Sequence, residues 1–112
     1  MLSGVIIRGT NPEHEFELPY ADELIDSVRV IYGQNNRQLF KKTWKVNESN
    51  NTCQIGQGKI VVLLSQEETY LASPSRPLDI EIRIKLKNGK VVGSDEPISL
   101  RVIDTMDNEV MN

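Results

Sequence analysis

The chain has 112 residues, 38% of them hydrophobic and 26% charged, with a net charge of −3. That length holds one domain with one modest core. The acidic balance argues against non-specific nucleic-acid binding, and the single cysteine, Cys53, excludes an intrachain disulfide scaffold.

Aromatic residues make up only 5% of the chain, so the core must be mainly aliphatic. The first ten residues have no basic region and no long apolar run, which leads us to expect no signal peptide. No stretch approaches the length of a membrane-spanning helix.

Val5 to Ile7, between Gly4 and Gly9, reads as a first strand, and Thr10-Asn11-Pro12 as a turn. From His14 to Leu18 the chain alternates. His14, Phe16 and Leu18 share one face, Glu13, Glu15 and Glu17 the other, and Pro19 ends the strand. Ala21 to Asp26 is either one helical turn or a connection crossing between sheets. Val28, Val30 and Tyr32 put a third strand's apolar side opposite Ser27, Arg29 and Ile31. Gly33 to Asn36 reads as a turn. Leu39 to Val46 is a lysine-rich strand, a pattern that suits a sheet edge.

Asn47 to Asn51 is polar and reads as a mobile loop, with a weak strand at Thr52 to Ile55. Lys59 to Leu64 is a run of apolar residues after a lysine, expected to form a central buried strand. Ser65 and Glu68 have the spacing of a capping box, which predicts one short helix from Gln66 to Leu71. Ser73 to Pro77 is a rigid connector. Leu78, Ile80, Ile82, Ile84 and Leu86 then alternate with Asp79, Glu81, Arg83, Lys85 and Lys87, a strand with one apolar and one charged face. Asn88-Gly89 predicts a two-residue type I′ hairpin that would set Val91 against Leu86. Ile98 to Val102 is the last strand, with Pro97 marking a bulge or edge.

These elements predict an all-β fold, an antiparallel β-sandwich of immunoglobulin-like architecture with about seven or eight strands and one short helical turn. Residues 1–104 form the domain and 105–112 a flexible acidic tail. Ile80, Ile82, Ile84 and Leu86 should face Phe16, Leu18, Val28, Val30, Val62 and Leu100.

Chemistry is sparse. His14 and Cys53 are the only histidine and cysteine, too few ligands for a zinc site, and Cys53 reads as a small packed hydrophobe. Glutamates alternating on a strand form a solvated face rather than a glycosidase pair. No cofactor and no enzymatic activity are expected. Arg83, Lys85, Lys87 and Lys90 make a basic hairpin face, and Glu13, Glu15 and Glu17 an acidic strand face; together they form the candidate interaction surface. If the two strands are neighbours, the charges pair within the monomer, which their spacing favours. If they lie apart, one copy can meet the next head to tail.

Residues Ile7 to Pro19, Val28 to Gln34, Leu64 to Thr69 and Ile82 to Ile84 resemble a family of small phage and prophage proteins from Gram-positive bacteria. In that family a Gly-Thr-x-Pro turn feeds a Phe-x-Leu-Pro strand, as Gly9 to Pro12 feeds Phe16 to Pro19 here. Glu13 and Glu17 stand where family members often carry threonine. Similar β-domains open the upper baseplate proteins of siphophages. The resemblance implies a non-enzymatic structural module near the tail or baseplate, found in the virion and, during assembly, in the host cytoplasm. Its partners would be other virion proteins or itself, with neither nucleic acid nor membrane. The alternative is a ligand-binding module, for example for carbohydrate, using Trp44, Tyr20 or Tyr70 as a platform.

Overall fold

The computed structural model describes residues 4–93 and 98–111. Among these, nine strands form two sheets. They are β1 (Val5–Ile7), β2 (Glu13–Glu17), β3 (Ile25–Gln34), β4 (Arg37–Lys45), β5 (Gln54–Gly56), β6 (Lys59–Leu63), β7 (Leu78–Leu86), β8 (Val91–Gly93) and β9 (Ile98–Ile103). The larger sheet runs β1-β9-β7-β3-β4, with β8 also paired to β7; the smaller runs β2-β6-β5. All pairings are antiparallel except β1 with β9. The result is a β-sandwich. A 3₁₀ turn (Asp22–Leu24) carries the chain from the smaller sheet to the larger, so both readings of Ala21 to Asp26 hold at once.

Period-2 alternation decides what is inside. In β7 every second residue from Leu78 to Leu86 is buried. These side chains meet Phe16, Val28, Val30, Ile60, Val62 and Leu100 in one cluster, with Leu18 packed at its margin. Strand β4 is an edge of the larger sheet, as its lysines suggested. Strand β6 is central in its sheet, but only one face is covered: Ile60 and Val62 are buried and Leu63 is 63% exposed. An apolar run alone did not distinguish one covered face from two.

Three turns differ from expectation. The β3–β4 turn is tighter than Gly33 to Asn36. Gly33 and Gln34 belong to the strand, and Asn35 and Asn36 alone turn the chain, both at positive φ (51° and 64°), as a type I′ turn requires. In the β7–β8 hairpin only Gly89 has positive φ, and Leu86 N–H donates to Lys90 O. Three residues therefore turn this hairpin, and Val91 pairs with Lys85 rather than facing Leu86. The loop after β4 is tied down by Asn51. Its side chain accepts from Lys45 N–H and donates to the carbonyls of Lys45 and Glu48. The bulge expected at Pro97 lies outside the described residues.

The capping box forms as predicted. Ser65 Oγ accepts from Glu68 N–H, Glu68 Oε1 accepts from Ser65 N–H, and a one-turn helix, α1 (Gln66–Tyr70), follows. Within the segment expected to be a flexible tail, residues 107–111 fold back onto this helix. Tyr70 Oη shares its one hydrogen between the carbonyls of Asp107 and Glu109, and Gln66 exchanges two hydrogen bonds with the Met111 backbone.

Candidate interaction faces

Strand β2 sits at the rim of the smaller sheet, and its alternation turns Glu13, Glu15 and Glu17 outward. Lys59 Nζ approaches Glu15 at 3.6 Å, with both side chains half-exposed; Glu13 and Glu17 form no ion pair among the described residues. Beside this row lie Val61 and Leu63 of β6, opposite Glu15 and Glu13. The outer face of the smaller sheet is therefore an acidic row next to a row of Lys59, Val61 and Leu63.

Arg83 and Lys85 point outward from β7, in the other sheet, while Lys87 and Lys90 flank the hairpin turn. The acidic and basic rows thus lie on opposite outer faces of the sandwich. Pairing of these rows within the monomer, which their spacing favoured, is ruled out because β2 neighbours β6 and never β7. Register adds two residues to the basic face that spacing alone did not single out. Arg29 of β3 stands directly opposite Arg83, and Lys41 of β4 opposite Ile31. The signal for Arg29 was its outward place between Val28 and Val30, but only strand pairing brings it to Arg83. Like charges facing each other across a ladder are destabilising. Arg83 reaches Glu81 at 3.3 Å, whereas Arg29, Lys41 and Lys85 form no ion pair among the described residues. Val91, 58% exposed, flanks Lys85 on β8.

The polar groups inside the sandwich are tied to one another. Buried His14 places Nδ1 2.8 Å from the Tyr32 hydroxyl, and Tyr32 stacks on Phe40 with centroids 4.7 Å apart. Burial lowers the His14 pKa and raises that of Tyr32, so both remain neutral at physiological pH. Lys42, on the inward side of β4, meets Glu68 at 2.7 Å, side chains 12% and 22% exposed. Burial raises the Glu68 pKa, but the bonds from Lys42 and Ser65 outweigh it and leave that pKa below the usual carboxylate range. Burial pushes the Cys53 thiol up to about 11, so near neutrality it is protonated rather than the nucleophilic thiolate. Among the described residues, no three His, Cys, Asp or Glu side chains are placed to hold a metal ion, and no helix is long and apolar enough to cross a membrane.

The aromatic candidates are occupied elsewhere. Trp44 and Tyr20 are partly buried against the core. The Arg8 guanidinium lies 5.5 Å from the Tyr70 ring centroid, and the hydroxyl of Tyr70 holds the C-terminal segment. A shallow hollow of about 320 Å³ opens beside β3 and β4, lined by Arg29, Thr43, Trp44, Lys45, Glu48 and Asn51 among others.

Two of the blocks that carry the phage resemblance meet in space. Gly9 N–H donates to Thr69 Oγ1, which donates to Thr10 O; Asn11 Nδ2 donates to Leu64 O, and Leu64 N–H to Pro12 O. Gly9 has φ +81°, a conformation that favours glycine, and a Cβ there would displace the Tyr70 hydroxyl, which stands 2.5 Å from its position. No protein-family model matches the chain, and no curated protein matches it.

Proposed function

We infer that this protein is a non-enzymatic structural or assembly module of a phage or prophage particle, positioned near the tail or baseplate. It acts by presenting sheet faces to other virion proteins or to itself. The observation that carries the reading is an acidic row, Glu13, Glu15 and Glu17, on one outer face and a cluster of cations, Arg29, Lys41, Arg83 and Lys85, on the opposite one, with apolar Leu63 and Val91 beside them. Exposed rows of one sign steer encounter and set register between protein surfaces. The resemblance supplies the particle context.

The test is composition. Particles purified from the producing bacterium after prophage induction should contain the protein in a fixed ratio to tail proteins, measured by quantitative mass spectrometry. Its absence from intact particles and from tail assembly intermediates would reject the virion reading. The hollow beside β3 and β4 favours one second reading, a ligand-binding module, because hydrogen-bonding residues such as Arg29, Thr43, Glu48 and Asn51 line it together with Trp44. Saturable quenching of Trp44 fluorescence by an oligosaccharide, lost in Trp44→Ala, would favour that reading.

A further inference from the structure

We propose that the protein stacks on itself, the acidic face of one copy docking on the basic face of the next. Three observations select a second copy as the occupant. First, the basic face sets like charges in register, Arg29 directly opposite Arg83 with Lys85 and Lys41 nearby, and Glu81, paired with Arg83, does not offset them all; the carboxylate row of another molecule would. Second, this chain carries such a row. Glu13, Glu15 and Glu17 project at strand-residue intervals of about 6.6–6.8 Å, the same spacing that separates Arg83 from Lys85. Third, both faces pair charge with an exposed apolar side chain, Leu63 beside Glu13 and Val91 beside Lys85, so the match is apolar as well as ionic.

Because the two faces are different and lie on opposite sides, the contact is head to tail. It does not close as a two-fold dimer, and copies add in series. The smaller sheet has only three strands of three to five residues, so each contact is small. Contacts of that size are weak, and this one rests on exposed charge, so it is sensitive to salt and concentration. The inference does not depend on a virion context. A protein that stacks but is absent from particles would reject the previous reading and leave this one standing.

Two charge-reversed variants test it by sedimentation velocity. Arg29→Glu with Lys85→Glu removes the net positive charge of the basic face and leaves the acidic row intact; Glu13→Lys with Glu17→Lys reverses the acidic row and leaves the basic face intact. All four positions are exposed, so both variants fold. The unmodified protein should form species larger than a dimer at about 1 mM protein and low salt, and these should dissociate above about 0.15 M salt. Each variant alone should associate at least about tenfold more weakly. A mixture of the two should associate again. Arg29→Glu alone should raise the melting temperature of the dilute monomer, through pairing with Arg83, while weakening self-association. An unmodified protein that stays monomeric at high concentration and low salt overturns the proposal. So does a variant mixture that stays monomeric.

Discussion

Burial of His14 against Tyr32 and pairing of Glu68 with Lys42 make stability respond to acid in two separate windows. The folded state lowers the His14 pKa, so the unfolded chain binds a proton first as pH falls, and stability drops below about pH 6.5. Glu68 also has a lowered folded pKa. Its contribution is complete above about pH 4.5 and is lost as pH falls through the lower folded value. The expected result is a melting temperature that declines in two stages. His14→Gln should flatten the upper stage only. Glu68→Gln should flatten the lower one and also lower stability by roughly 1–3 kcal/mol, through a weakened box and a partly buried lysine without its carboxylate. Calorimetric melting from pH 7.5 to 3.5 checks both, and an unchanged upper stage in His14→Gln would remove His14 from the account. Neither contact was legible in the sequence. Alternation turned His14 and Tyr32 inward, but their bond joins strands of different sheets, 18 residues apart. Lys42 and Glu68 are 26 positions apart, and nothing local distinguished Lys42 from the other lysines of its strand.

Elements governed by local chemistry were legible almost to the residue. The capping box needs only Ser65 and Glu68 three apart, and the inward face of β7 needs only its own alternation. Turns were less legible, because one dipeptide serves more than one geometry. Asn88-Gly89 suits a two-residue type I′ turn, yet here it ends a three-residue loop in which Gly89 alone is left-handed, at φ +93°. The type I′ turn sits at Asn35-Asn36 instead. The difference matters because one residue of register decides whether Val91 pairs with Leu86 on the inward face or, as here, with Lys85 on the exposed one. Gly89→Ala should cost about 1–2 kcal/mol, all of it conformational, since a Cβ there meets nothing within 4 Å. Asn88→Ala loses only the bond from Lys90 N–H to Asn88 Oδ1 and should cost about 0.5–1 kcal/mol. Urea unfolding of the two variants distinguishes the turns, because a two-residue turn would make both substitutions comparably expensive.

At the scale of the whole molecule the question is which strands are neighbours, and period-2 patterning does not answer it. Each strand displays its buried side but not its partner, so the acidic and basic rows were legible while their placement on opposite faces was not. That placement predicts opposite salt responses from one surface. In the dilute monomer the Arg29–Arg83 contact is repulsive and exposed, so screening relieves it. Between about 10 mM and 0.15 M salt the screening length falls from about 30 Å to about 8 Å, enough to weaken every exposed interaction here. Exposed attractive pairs such as Lys59–Glu15 lose a little over the same range, so the informative quantity is a difference between proteins. Salt should raise the melting temperature of the unmodified monomer more than that of Arg29→Glu, by an amount corresponding to roughly 0.2–1 kcal/mol. In concentrated solution the same salt should shrink the stacked species of the unmodified protein. Melting curves at low protein concentration, set beside sedimentation at high concentration, read the two effects separately. Identical salt responses in the two dilute proteins would mean that Arg29 and Arg83 do not strain the monomer, and the surface would lose its reason to seek a carboxylate partner.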